Sequence, residues 1–276
     1  VASKYEPGSH YDQVTGAWSL LLGDHLHYGL FEDGGESLAT ATGQLTALMV
    51  EAARFDEGNS VLDVGCGTGA SACLLAREYS VSVTGITTSR VGVQAAAARA
   101  VDEGVSATTS FEQRDGMDSG FPNETFDRVW VLESSHLMRR RDALISECAR
   151  VLRPGGRLCL CDIVLRRQLS LKEVRDLREP LALLREVFGD ARMEPLPVYR
   201  ELAEREGLVV DDERDLTTLT RPTFPRWREN AEAHRVELLE SFGESRLTAF
   251  MDSCTVLERF WDDGTLGYGL LAAAKP

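Results

Sequence analysis

The sequence predicts an α/β protein: a doubly wound, mostly parallel, seven-stranded sheet with a helical N-terminal lid and a helical cap. Two observations carry that expectation. From residue 60 onward, short β-rich runs alternate with helical stretches, and such alternation places helices on both faces of a largely parallel sheet. Five runs, SVLDVG, VSVTGI, TSFEQR, FDRVWVLE and GRLCLCDIVL, are followed much later by LVVDDERDLTTL and LGYGLLAAA, which read as two closing strands.

The helices follow from spacing and stop signals. Leu144, Ile145, Cys148, Val151 and Leu152 fall on one helical face, and Pro154-Gly155-Gly156 stops that helix. An Ala-rich helix from about Ser89 to Glu103 closes at Gly104. Ahead of the first strand, helices are expected around residues 9–22 and 38–54, joined by the turn DHLHYGLFEDGG. Residues 1–56 read as the lid and 57–276 as the main domain, with a cap insertion at about 166–206 in which an Arg- and Glu-rich helical stretch runs from about residue 170.

Composition narrows the function. With 30 Lys plus Arg against 44 Asp plus Glu, the net charge is −14, a field that repels polyphosphate backbones, so nucleic acid is not an expected partner. No run reaches the ~18 apolar residues of a membrane helix. The opening VASKYEPGSHYDQ also lacks the basic-then-apolar pattern of a signal peptide, so a cytoplasmic protein with no membrane partner is expected. Cys66, Cys73, Cys148, Cys159, Cys161 and Cys254 form no CxxC pair and are expected as small core residues, not as disulfides or zinc ligands. The oligomeric state stays open, a homodimer included.

In VLDVGCGTGA, Gly65, Gly67 and Gly69 stand where a strand turns into a helix, so backbone can approach a ligand without side-chain obstruction. Alone this is ambiguous, because the same residues satisfy the loose GxGxxA form of a dinucleotide fingerprint. Asp63 separates the two readings. A carboxylate two residues before the first glycine would crowd a pyrophosphate with like charge, yet it suits a ligand that carries an ammonium and a sulfonium.

The D-x-G-x-G-x-G form, followed by DGM at 115–117 and VLRPGG at 151–156, resembles the class I S-adenosylmethionine-dependent methyltransferases over roughly residues 55–165. The resemblance implies a Rossmann-like methyltransferase fold and S-adenosyl-L-methionine as cofactor. It implies that Asp63, Gly65 and Gly67 line the amino-acid part of the cofactor and that Asp115, Gly116 and Met117 bracket its adenine, the alternative for Asp115 being a turn or capping acid. Where the family commonly has a ribose-binding acid, this chain has Thr87 in VTGITTS, a form that marks the branch with tocopherol, cyclopropane and natural-product sugar enzymes. Gly92 stands near that branch's usual Gln, and Gln94 is displaced. LHYGLF resembles the segment such enzymes fold over the cofactor, which places Tyr28 and Tyr11 near its methionine end, with aromatic packing as the other reading. Glu133, at the end of the fourth strand, joins the expected cofactor residues.

Methyl transfer from a sulfonium is an in-line displacement that aligning groups accelerate, and it requires no metal. A positioned base helps where the nucleophile loses a proton. His136 after strand four and Asp162 in strand five resemble the base and acid positions of natural-product sugar O-methyltransferases, whose segments read roughly L-E-S-x-H-H and A-D-F. Here Leu137 replaces the second histidine. The replacement favours C-methylation of an electron-rich aromatic ring such as indole over O-methylation of a sugar or phenolic hydroxyl. Tyr28 is the next candidate base, and a helix cap is the structural alternative for His136. Arg139, Arg140 and Arg141 raise a prenyl diphosphate acceptor, against the simpler reading of a solvated face. Trp227, Phe224 and Phe188 read either as an acceptor wall or as core, and a non-catalytic cofactor-binding module is the non-enzymatic alternative.

Overall fold

A computed structural model of the chain describes residues 18–276. One sheet contains β1 (Ser60–Val64), β2 (Ser82–Thr87), β3 (Thr109–Gln113), β4 (Phe126–Leu132), β5 (Leu152–Leu165), β6 (Val209–Asp215) and β7 (Leu266–Ala274). Their order is β3-β2-β1-β4-β5-β7-β6, parallel throughout except for β7, which runs antiparallel to both neighbours. The expected doubly wound sheet is therefore present, with its two late strands closing one edge. After β3 the chain crosses back and adds β4 on the other side of β1. That reversal opens a crevice beyond the carboxyl ends of β1 and β4, where ligands of open α/β sheets sit.

The sheet is buried on both faces. Along β5, Leu158 and Leu160 enter one core while Cys159 and Cys161 enter the other, as the two-residue period of a strand requires. Helices Leu38–Ala53, Thr223–Ala233 and Glu244–Asp262 pack on the Cys159 side through Leu45, Met49, Trp227 and Phe250. On the other side, Arg141–Val151 and Leu196–Arg205 supply Leu144, Cys148 and Tyr199. Two buried arginines tie the helix Leu38–Ala53 to the sheet. Arg128 Nε donates to Ala53 O at 2.8 Å, and its register partner Arg157 donates to Ala52 O at 2.5 Å. Cations there satisfy carbonyls that a helix end leaves open.

The helical stretch expected from 170 to 206 divides into three helices, Leu171–Asp176, Arg178–Phe188 and Leu196–Arg205. Gly189, at φ 92°, ends the second, and Pro195 sits at the start of the third, a place where its missing N–H costs nothing. Of the helix expected around 9–22, residues 18–22 are helical, and the remainder lies outside the described residues together with Tyr11. No helix among the described residues is long and apolar enough to cross a membrane.

Candidate active site

The loops after β1 to β4, with the turn at 25–28 and the cap helix Arg178–Phe188, enclose a cavity of about 370 Å³. That size suits a small ligand. Asp63, Gly65, Gly67, Thr87, Asp115, Gly116, Met117, Glu133, His136 and Tyr28 all border it. Residues expected at separate points of the sequence thus share one site, and Asp162 stands directly behind it.

The three glycines of the first loop do different work. Gly65, at φ 83°, lies so close to the loop after β4 that a Cβ would come within 2.2 Å of Ser134 Cβ. Ser134 Oγ also donates to Val64 O at 2.5 Å, fastening the ends of β1 and β4 together. Gly69 is confined by Ala96, 2.8 Å from its would-be Cβ, so it serves helix packing. Gly67 differs. At φ 55°, with nothing within 4 Å of its would-be Cβ, it leaves free space at the cavity wall.

Asp63 is 2% exposed, and its Oδ2 has no hydrogen-bond partner. Burial without compensation pushes its carboxyl up to about 7. Thr87 Oγ1 accepts from Ser89 N at 3.2 Å, which leaves its own O–H free to donate. Asp115 Oδ1 accepts from Met117 N at 2.9 Å, so it is a turn acid whose other oxygen is still available at the cavity. Gly92 borders the cavity and its N–H caps onto Ser89 Oγ at 2.8 Å, while Gln94 is exposed. A Cβ at Gly92 would stand 3.0 Å from Gly67 O, so the helix can approach the glycine loop because no side chain intervenes. An orphaned buried carboxylate beside an open glycine cradle fits a cationic amino-acid group, and the Thr87 and Asp115 oxygens fit ribose and adenine polar atoms.

His136 lies in a short turn over Ser135–Leu137 that precedes the helix Arg141–Val151. His136 does not cap that helix. Its Nδ1 meets Asp162 Oδ1 at 2.6 Å, and its backbone N–H donates to Asp162 Oδ2 at 3.1 Å. With an ionised Asp162, Nδ1 carries the proton and Nε2 remains as the acceptor. Asp162 is fully buried in the middle of the sheet, between β4 and β7, and does not border the cavity. It therefore suits orienting the imidazole and not touching an acceptor. Burial acts to raise its carboxyl, but the adjacent His136 and the Ser135 hydroxyl outweigh that and hold it below the ordinary range.

Tyr28 is packed on Trp261 with rings 5.4 Å apart and nearly parallel, and it meets Trp227 edge-on at 4.8 Å. Its ring belongs to an aromatic core, while its N–H donates to Glu133 Oε1 at 2.7 Å. The same oxygen accepts from Tyr268 O–H at 2.5 Å, so Glu133 joins the turn at 28 to β7. Burial pushes the Glu133 carboxyl up to about 8. His27 is structural: its Nδ1 donates to Tyr28 O at 2.8 Å, and burial lowers its pKa to about 4.

Apolar side chains line much of the cavity, among them Leu26, Leu137, Ile163, Leu184, Phe188 and Trp227. Phe224, the third aromatic expected there, is fully buried outside the lining. The three arginines already have partners. Arg139 pairs with Asp190 at 3.0 Å, Arg140 with Asp142 at 3.1 Å, and Arg141 donates to the carbonyls of Met138 and Arg192. Ser135, Ser89 and Tyr199 were not singled out by sequence. Ser135 is the residue before His136, whereas Tyr199 comes from a helix more than 60 residues on.

The class is defined by comparison as well as by geometry. A family model described as a methyltransferase domain matches residues 61–156. The chain is 33% identical to 27-O-demethylrifamycin SV methyltransferase of Amycolatopsis mediterranei (strain S699), over 98% of this chain and 97% of the relative. It is 34% identical to methyltransferase GfsG of Streptomyces halstedii, over 98% and 94%. The solved structure of the [4+2]-cyclase SpnF is also similar, with a TM-score of 0.82 and 32% identity over 98% of this chain and 95% of that one. The protein is a class I S-adenosylmethionine-dependent methyltransferase with S-adenosyl-L-methionine as its cofactor. Within that class it belongs to the small-molecule, natural-product methyltransferase family.

Proposed function

We propose that the protein methylates a hydroxyl of a bulky, largely apolar natural product, with His136 as the general base. The observation that carries this reading is the His136–Asp162 pair, 2.6 Å apart at the acceptor end of an otherwise apolar wall. The bound cofactor supplies an electrophilic methyl on sulfur. Asp162 holds Nδ1–H, Nε2 takes the hydroxyl proton as the oxygen–methyl bond forms, and Leu137, Phe188 and Trp227 exclude water and seat the carbon skeleton. A base is needed because an uncharged hydroxyl is a weak nucleophile. The rifamycin-related relative is itself named for an O-demethyl acceptor, which favours oxygen.

Carbon methylation of an indole-type ring is the second reading, favoured by Leu137 in place of a polar side chain. A prenyl diphosphate is poorly served, since Arg139 and Arg140 are committed to carboxylates and Arg141 to carbonyls. The cofactor side of the same proposal assigns Asp63, Gly65, Gly67, Thr87, Asp115, Gly116, Met117 and Glu133 to ligand contact. Mass-spectrometric product analysis over hydroxylated macrocycles, phenols and indoles tests the acceptor. Oxygen-linked methyl groups on a macrocyclic hydroxyl are expected, and exclusive ring-carbon methylation overturns the choice. His136→Ala should lower turnover roughly 10²–10⁴-fold with unchanged cofactor affinity. A wild-type rate on the true acceptor removes His136 as base.

A further inference from the structure

Asp162 has more donors around it than a single imidazole supplies. Oδ1 accepts from His136 Nδ1 at 2.6 Å and from Ile163 N at 2.7 Å. Oδ2 accepts from Ser135 O–H at 2.5 Å and from His136 N at 3.1 Å. A carboxylate offers about four lone-pair sites, and here each is used. Ser135 is itself fully buried, and its Oγ is 2.8 Å from Tyr199 Oη. Because Ser135 spends its one proton on Asp162, Tyr199 must be the donor at that contact. Behind Tyr199 stands the Arg141 guanidinium, 5.5 Å from the ring centre and buried, with no carboxylate partner among the described residues.

We propose that Ser135 and Tyr199 are positioning residues of the methyl-transfer reaction: the chain Tyr199–Ser135–Asp162 fixes the carboxylate that holds His136 in its base-competent tautomer. The inference deepens the assignment of His136 as base and rests on it. The direction of donation is determined at every link. Tyr199 donates to Ser135, Ser135 donates to Asp162, and Asp162 as an ionised acceptor leaves only the Nδ1–H form of His136 at its other oxygen. Were Asp162 to rotate or take up a proton, Nδ1 would be free to become the acceptor and the proton could move to Nε2, which is useless as a base. Hydrogen bonds that polarise one another in a low-dielectric interior reinforce the arrangement.

Geometry also explains why the tyrosine comes from so far along the chain. Tyr199 lies on Leu196–Arg205, the helix that leaves the cap. The cap is tied to the base in two further places, where Arg192 N donates to His136 O at 2.7 Å and Arg141 donates to Arg192 O. Acceptor wall and base are thereby held by one set of contacts.

The test uses the full-length protein, saturating cofactor and the acceptor found by the product analysis. Ser135→Ala should lower kcat about three- to thirtyfold with KM for both substrates changed less than twofold. Tyr199→Phe keeps the ring and should lower kcat about two- to fivefold. In a Ser135→Ala background, Tyr199→Phe should have no further effect, because its only route to the base is gone. In a His136→Ala background, Ser135→Ala should change kcat by less than twofold. A residue that merely supports the fold would lower activity in every background and move KM as well. Full additivity of Ser135→Ala with His136→Ala, or a wild-type kcat for Ser135→Ala while His136→Ala is impaired, overturns the positioning role and leaves the base assignment standing. A wild-type rate for His136→Ala itself overturns both. If Ser135→Ala misfolds, Tyr199→Phe alone in the two His136 backgrounds decides the matter by the same criterion.

Discussion

Two buried carboxylates, Asp63 in the cavity wall and Asp162 behind it, are treated in opposite ways. Asp63, at the cofactor end, has an oxygen with no partner and a carboxyl raised to about 7. Asp162, behind the acceptor end, is equally buried, yet donors fill its oxygens and its carboxyl is held low. Burial is common to both, so the contrast comes from the donors. A carboxylate left incomplete is complementary to charge that arrives with a ligand, whereas a carboxylate completed by the protein serves to hold another side chain. On the proposed function, Asp63 is therefore suited to binding a ligand and Asp162 to orienting His136.

Breaking the cofactor end at its open glycine should have the largest effect on binding. In Gly67→Val the side chain enters open space at the cavity wall, and the left-handed backbone adds strain of about 1–2 kcal/mol. Calorimetric titration should find cofactor affinity reduced more than about 100-fold, with roughly 3 kcal/mol lost by that measure. A variant that binds within threefold of wild type would mean the ligand lies elsewhere along the loop.

Asp63→Asn sharpens the contrast because binding and stability should move in opposite directions. Loss of the charge complement should weaken the cofactor about ten- to hundredfold, or 1.4–2.8 kcal/mol. The unliganded protein should gain stability at pH 8. The folded carboxyl, near 7, lies above its ordinary 3.8, so the stability it contributes is full below about pH 4 and is lost as pH rises to 7. Neutralising the group removes that loss, on the order of 4 kcal/mol at most. Thermal melts of both proteins at pH 5 and pH 8 check this, and a variant less stable than wild type at pH 8 contradicts it.

How much of this arrangement could be read in advance follows the same division. The D-x-G-x-G-x-G and DGM runs stand at strand termini, so the family resemblance was enough to name Asp63, Gly65, Gly67 and Asp115 as one group, and all four border the cavity. Even there, the separate tasks of the three glycines were not legible, because what crowds Gly65 is Ser134, on another loop. At the acceptor end, His136 and Asp162 could be named from position, but their 2.6 Å contact depends on the pairing of β4 with β5. Tyr199 gave no signal, since a tyrosine on an amphipathic helix reads as core. The stretch from 170 to 206 reads as helical and is helical, while Gly189 and the Pro195 beyond it mark the break between its second and third helices.

Thr87→Val is a smaller perturbation of the cofactor end. It keeps the shape, removes a free O–H donor and also removes one acceptor near Ser89 N. One net hydrogen bond is worth about 0.5–1.5 kcal/mol, so affinity should fall several-fold to tenfold. An unchanged dissociation constant in a folded variant would assign the ribose to another residue.

Glu133 lies between the two ends, and its replacement tests which treatment it receives. Both of its donors, Tyr28 N–H and Tyr268 O–H, fall on Oε1, and Oε2 has no partner among the described residues although Glu133 borders the cavity. Half of the carboxylate is thus completed by the protein and half is left for a ligand. In Glu133→Gln the amide oxygen can keep both donors, while the amide nitrogen replaces Oε2 and opposes a cation. Cofactor affinity should fall about threefold, the least of the four changes, because Asp63 still supplies a charge complement. Stability separates the other half. The wild-type carboxyl, near 8 against an ordinary 4.5, contributes fully below about pH 4.5 and loses that contribution as pH rises to 8. Partial exposure reduces the effect, to roughly 1 kcal/mol or about 2–4 °C. Between pH 7 and 9, where the Asp63 contribution has largely gone, wild type should melt progressively lower while Glu133→Gln stays level. A variant that melts well below wild type at pH 7 would instead place Glu133 with Asp162, as a carboxylate the fold needs charged.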